Sequence, residues 1–159
     1  MHDSFVSVLS SGSCGNSFLV VRNDSAILVD AGLSAREIER RMSLFGVEPS
    51  HLEAVVLTHE HTDHIRGVRR LCTEHGIGIY ATKGTLSLTP HNGIESVVIR
   101  AGEEARAGDF VLRPFSVMHL AAEPVAFRIA VGGSSVAIAS DLGCVTDGIV
   151  RDMTGAGVL

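Results

Sequence analysis

An α/β layered domain with a mixed sheet is the fold class the sequence predicts, on three observations. Short apolar runs alternate with turn-rich breaks, two stretches with apolar residues at helical spacing interrupt the first half, and the second half reads mostly as strand. The 159 residues are enough for one domain with a proper core. Hydrophobic residues make up 45% and charged ones 19%, a globular balance, while aromatics at 4% leave the core to Val, Ile, Leu and Ala.

Taken in order, residues 5–10 (FVSVLS) and 17–21 (SFLVV) flank the small-residue break SGSCGN and predict a hairpin. Residues 26–30 (AILVD) give a third strand that ends at Asp30 and the Ala31-Gly32 turn. Ser34 followed by Glu37 is a capping-box pattern, in which two side chains satisfy free N–H groups at a helix start. Ile38, Met42 and Phe45 continue that helix, Gly46 stops it, and Pro49 lies in the next loop. A buried strand at 54–57 leads into a histidine cluster, followed by a helix marked by Ile65, Val68, Leu71 and Cys72 and closed by Gly76. A strand at 77–81 and a helix at 83–88 complete the first half. Strands then follow at 96–100, 109–118, 125–131 and 134–140, with Gly132-Gly133 as a two-residue hairpin turn, and a helix begins near 145.

A formal net charge of −5 argues against gripping nucleic acid by bulk charge, though not against a local basic patch. No stretch approaches the ~18 apolar residues of a membrane helix, so no membrane partner is expected. Cys14, Cys72 and Cys144 are widely spaced and odd in number, and the N-terminus does not read as a signal peptide. Reduced thiols in a cytoplasmic protein are the expectation. Cys144 reads as a small buried thiol, and His51, His75 and His91, like His2, as surface residues.

The chemistry concentrates in His59-Glu60-His61-Thr62-Asp63-His64. Side chains two apart in an extended segment point the same way, so His59 and His61 aim together. Asp63 and His64 stand at the mouth of a helix and turn toward a second point, which suits two neighbouring ions better than one. Imidazole and carboxylate suit Zn²⁺, and also Mn²⁺ or iron. A polar loop with an N-cap Asp is the bland alternative. Arg66, Arg69, Arg70 and Lys83 read either as a phosphate-binding edge or as a solvated face. The SGSCGN turn reads either as a plain turn or as a set of N–H groups facing a phosphate. No GxSxG and no GxxxxGK[ST] pattern occurs.

THEHTDH resembles the HxHxDH motif of the metallo-β-lactamase superfamily. SGSCGNSFLVV with AILVDAG resembles that family's opening strands, FSVMHLAAEPVAFRI the strand bearing its next histidine, and AIASDLG the strand ending in its bridging aspartate. The wording is most similar to the WalJ/YycJ-like bacterial branch, associated with nuclease-type phosphodiester hydrolysis. The resemblance implies an αββα sandwich and a metallo-hydrolase. His59, His61 and His119 would hold one metal, Asp63 and His64 a second, and Asp141 would bridge them. Asp63 and His64 are also the expected catalytic residues. Asp30 would orient a ligand histidine, a turn cap being its other reading. The implied cofactor is a pair of Zn²⁺ ions, with Mn²⁺ as substitute. The implied reaction is attack of a metal-bridged hydroxide on a nucleic-acid phosphodiester, or on a small-molecule ester, thioester or amide.

The sequence also departs from the pattern. The superfamily completes its second site with a later histidine, and none follows His119 here; Leu120 stands where a polar residue often follows the strand histidine. The resemblance therefore implies that residues 1–159 are the N-terminal portion of such a domain, with its second half incomplete. A weaker second metal and an apolar sheet face left for a partner or self-association would follow, as would an inert metal-binding chain as the non-enzymatic alternative.

Overall fold

The computed structural model describes residues 4–157, among which ten strands form two sheets with helices on their outer faces. The first sheet runs β1 (Ser4–Ser10), β2 (Ser17–Arg22), β3 (Ser25–Val29), β4 (Leu52–Val56), β5 (Ile79–Ala81) and β6 (Ser96–Val98), side by side in chain order. β1 to β3 pair antiparallel through tight turns, and β3 to β6 pair parallel through helical crossovers. The second sheet is antiparallel, in the order β10 (Ser134–Ile138), β9 (Val125–Val131), β8 (Phe110–Ser116) and β7 (Ala105–Ala107).

Residue periodicity explains the layers. β3 is apolar on both faces: Ala26 and Leu28 meet one core, Ile27 and Val29 the other. The first core lies beneath α1 (Ala35–Ser43) and α3 (Val68–His75), with Ile38, Met42, Leu71 and Ile79 fully buried. The second lies between the sheets, where Val29 and Val56 share a cluster with Phe110, Leu112, Phe127 and Ile129. Each such side chain contributes about 1.5–3 kcal/mol by leaving water. On the far side, α5 (Asp147–Met153) places Ile149 on Phe115 and Ala126, completing an α-β-β-α order of layers. The rest of that outer face mixes apolar and charged residues, the partly exposed Val111 and Ala130 lying beside two arginines. Arg113 and Arg128 face each other across β8 and β9, and Arg106 on β7 lies opposite Val111, one pair further along. Arg113 and Arg128 border a groove of about 540 Å³ that none of the six predicted site residues lines.

Several local expectations are corrected. Ser34 caps α1 by accepting from Glu37 N, but Glu37 does not reach back. Its carboxylate is bound by Arg40 and Arg41, which hold its pKa down at about 2, so two guanidinium groups outcompete one peptide N–H. Phe45 lies beyond the helix, exposed, with its ring 5.9 Å from that of Phe5. The single helix expected after the histidines is two: α2 (Thr62–Ile65) and α3, broken at Gly67. Gly67 N donates to Ala31 O, and a Cβ there would lie 2.5 Å from Leu33 O, so the chain is drawn too close to the β3–α1 loop to remain one helix. Cys144 is exposed with its Sγ 3.3 Å from Met118 Sδ, and Cys72 is the buried thiol. The strand expected at 109–118 ends at Ser116, while β7 was not foreseen. α4 (Lys83–Leu88) and the Gly132-Gly133 turn, with φ of 58° and 84°, match expectation. His2 lies outside the described residues. Among those residues no helix is long and apolar enough to cross a membrane.

Candidate metal centre

The predicted site residues all come from one edge of the two sheets. Asp30 follows β3, Thr58 and His59 follow β4, His119 follows β8 and Asp141 follows β10. Val125 N donates to Thr58 O, joining the sheets at this edge, and Gly143 N donates to Met118 O, joining the loops after β10 and β8. Two backbones take strained left-handed conformations here, Asp30 at φ 60° and Asp141 at φ 53°.

Six side chains meet in the space so formed. His59 Nε2 lies 3.1 Å from His61 Nδ1, and His119 Nε2 lies 3.2 Å from the same atom. Asp141 Oδ2 lies 2.8 Å from His64 Nε2, 3.4 Å from His59 Nε2 and 4.0 Å from His119 Nε2. Asp63 Oδ2 lies 3.5 Å from His64 Nε2. Two donor sets, His59-His61-His119 and His59-His64-Asp141, each lie within a 4.8 Å spread. Ligand atoms at ~2.0–2.1 Å from a tetrahedral Zn²⁺ stand roughly 3.3 Å apart, so the spacings fit an ion in the first set, and with His59 used there they leave His64 and Asp141 to a second.

Proton accounting strengthens the fit. Asp30 is wholly buried, and its Oδ1 accepts from Thr58 N at 2.8 Å. Its Oδ2 accepts from Thr58 Oγ1 and from His64 Nδ1, both at 2.7 Å. The Thr58 hydroxyl has then given its one hydrogen and can only accept from His59 Nδ1, 3.0 Å away. Both histidines thus carry the proton on Nδ1 and turn an Nε2 lone pair toward the shared space. One carboxylate sets both tautomers, which is the orienting role expected of Asp30. The Nε2 lone pairs of His59 and of neutral His64, facing the Asp141 carboxylate, are unfavourable unless a proton or a cation lies among them.

Burial lowers the His59 pKa to about 4, and the neighbouring His64 adds to the effect. His64 shifts the other way. Burial alone would lower it, but the Asp30 hydrogen bond and the charges of Asp30, Asp63 and Asp141 raise it overall. In the metal-free protein the two have opposite linkage. His64 stabilises the fold below its ordinary pKa and loses that effect as pH rises through its raised one. His59 lowers stability as pH falls from 6.5 to about 4, because the unfolded chain takes up a proton that the folded chain refuses. Its share is at most about 3 kcal/mol. Between pH 6.5 and pH 4.5, urea denaturation of chelated protein should show the parent losing more stability than His59→Asn. Parallel losses would refute this account of His59.

Sequence reasoning missed three residues. Thr58 is the relay described above. Glu60 Oε1 accepts from Ala122 N at 2.8 Å and pins the loop after His119. Asn16 contacts both Asp63 and His64. Only Thr58 had a signal, its place beside the motif; the other two contacts span 62 and about 47 residues. The turn around Asn16 is less open to phosphate than one of its readings held. Gly12 N donates to Asn16 Oδ1, Gly15 N to Gly12 O and Asn16 N to Asp63 O. Of the basic residues near the motif, Arg70 pairs with Glu74 on the exposed face of α3.

Two sheets between helical layers, with a His-x-His-x-Asp-His segment and distant His and Asp converging at one edge, define a class of layered α/β domain with a candidate metal centre at its sheet edge. The chain belongs to the Metallo-beta-lactamase superfamily, whose family model matches residues 13–152. It is 33% identical over 159 residues to "Exodeoxyribonuclease WalJ" of Streptococcus pneumoniae serotype 2 (strain D39 / NCTC 7466), with 94% of this chain and 59% of that protein covered. It is 31% identical over 155 residues to "Exodeoxyribonuclease YycJ" of Bacillus anthracis, with the same coverage. The chain thus spans about 59% of the length of these curated relatives. Among solved structures, the S60 mutant of a Cronobacter sakazakii metallo-beta-lactamase with a HARLDQ motif aligns at TM-score 0.70 and 17% identity over 93% of this chain and 67% of its own. The Bacillus subtilis metallo-beta-lactamase fold protein YhfI aligns at TM-score 0.64 and 25% identity, over 83% and 59% respectively.

Proposed function

We propose that this chain carries the metal centre of a hydrolase that cleaves phosphodiester bonds in nucleic acid. The observation that carries this reading is the position of Asp141 Oδ2, within 4.0 Å of ring nitrogens from His59, His64 and His119. One carboxylate oxygen between two donor sets is what a pair of adjacent cations requires. In this reading His59, His61 and His119 hold the first ion, Asp63 and His64 the second, and Asp141 both. Zn²⁺ suits the nitrogen-rich set, with Mn²⁺ as an alternative. The second ion, with a single nitrogen ligand from this chain, is the weaker. When bound, the ions supply a Lewis acid for phosphoryl oxygens and a water acidic enough to deprotonate near neutral pH.

The residues arrange access accordingly. His59 and His64 form a buried floor at 2% and 0% exposure, while Asp63 at 30% and Asp141 at 35% line an open rim. Substrate therefore approaches from the side of Asp63, Asp141 and His119. Asp30, Asp63 and Asp141 would repel a phosphate there, so an anionic substrate needs the cations in place. The relatives' printed names support the nucleic-acid choice, and free thiols support a cytoplasmic setting. The test is cleavage of end-labelled DNA and RNA, with a thioester as control, by chelated protein given Zn²⁺ or Mn²⁺. Nucleotide release that stops on chelation is expected. No cleavage of either nucleic acid under either metal would overturn the proposal.

A further inference from the structure

The SGSCGN turn, which the sequence left between two readings, holds one buried polar side chain against the metal centre. Asn16 is 5% exposed. Its amide pairs with the backbone of a single residue: Oδ1 accepts from Gly12 N at 3.1 Å and Nδ2 donates to Gly12 O at 3.2 Å. Since Gly12 N can only donate, the orientation of the amide is fixed, and Nδ2 faces inward. Its second hydrogen points into the gap between Asp63 Oδ2, at 3.3 Å, and His64 Nε2, at 3.1 Å. The backbone ties the same segments together. Asn16 N donates to Asp63 O at 2.8 Å and Gly32 N to Asn16 O at 2.9 Å. A Cβ on Gly32 would overlap the Asp63 carbonyl oxygen, so no other residue type fits between the two loops without moving them.

We propose that Asn16 is a positioning residue of the second metal site, holding Asp63 Oδ2 against His64 in the place from which it ligates. The inference rests on the two-ion reading above. The Asp63 side chain is 30% exposed, and without this donor its carboxylate is free to swing toward solvent. The turn thereby belongs to the metal centre through a side-chain donor, and its backbone N–H groups are used in holding its own shape.

Zn²⁺ titration of the chelated protein against a competing chelator tests this, with unfolding temperature as the check on folding. Asn16→Ala should weaken the second dissociation constant by about tenfold or more, and leave the first within about twofold. Asn16→Asp keeps the tie to Gly12 N but sets a carboxylate oxygen against Asp63 and His64 Nε2. A cation relieves that repulsion, so Asn16→Asp should bind the second ion more tightly. Opposite directions in the two variants are the signature of a group acting at the site. Equal weakening in both would mark Asn16 as a strut of the turn and overturn the assignment. If Asn16→Ala does not fold, Asn16→Asp alone decides, and failure to tighten is the refuting result. Asp63→Asn separates the levels: it should weaken the second ion, and if it does not, the two-ion reading itself is wrong.

Discussion

Asp30→Ala should be the most destabilising single change near the site. The expected loss is about 3–5 kcal/mol in the metal-free protein, the cost of breaking a buried charged network by removing one partner. Three donors lose their acceptor at once: Thr58 N, Thr58 Oγ1 and His64 Nδ1. None can turn to water, because Asp30 and His64 are wholly buried and Thr58 is 1% exposed. Alanine also tolerates φ 60° less well than aspartate, which adds about 1 kcal/mol. Urea denaturation of chelated protein measures the total, and a loss under about 1 kcal/mol would contradict the network. Asp30→Asn separates fold from site. Its amide would donate to His64 Nδ1 and Thr58 Oγ1, Thr58 would then donate to His59 Nδ1, and both rings would move their proton to Nε2. The two lone pairs facing the shared space would be lost together. Both ions should weaken by about 10–100-fold while most of the stability is kept. Unchanged affinity for either ion would show that the tautomers are not set this way.

Why Asp30 could be read from sequence only in outline follows from what kind of contact each residue makes. The β9–β10 hairpin was legible because Gly132-Gly133 and the apolar alternation on either side are local signals; the strands pair Val131 with Ser134 as those signals require. The grouping of His59, His61 and His64 was legible for the same reason, being set by one strand end and one helix start. That His119 and Asp141 join them came from resemblance, since the contacts span 58 and 77 residues and leave no local mark. The break at Gly67 was hidden because its cause is the Leu33 carbonyl on another loop. The half-made capping box at Ser34 failed because arginines on the same helix took the glutamate. Asn16 looked like a turn former and is one, and nothing in the turn shows what its Nδ2 faces. Local chemistry was thus readable, and which element lies across the gap was not.

The contrast with Asp30 gives the second large effect. His61 sits at the centre of the first donor set, its Nδ1 within 3.2 Å of both His59 Nε2 and His119 Nε2, yet its side chain is only partly buried and anchors no backbone group among the described hydrogen bonds. His61→Ala should therefore remove function without removing the fold. Structural zinc sites bind with about 10–16 kcal/mol over four ligands, so one ligand is worth about 3 kcal/mol, or roughly two orders of magnitude in the first dissociation constant. The chelated variant should unfold within about 1 kcal/mol of the parent, since the side chain being trimmed is only partly buried and anchors no backbone group among the described residues. In the proposed reading, phosphodiester cleavage should fall at least as far as first-site occupancy at the metal concentration used, and excess Zn²⁺ should restore part of it. A variant that binds its first ion as tightly as the parent would remove His61 from the ligand set. A variant that binds metal normally but fails to cleave would move it to substrate contact. A variant that loses stability with its metal would mean the triad also holds the fold, which the positions of Asp30 and Thr58 assign to the network behind it.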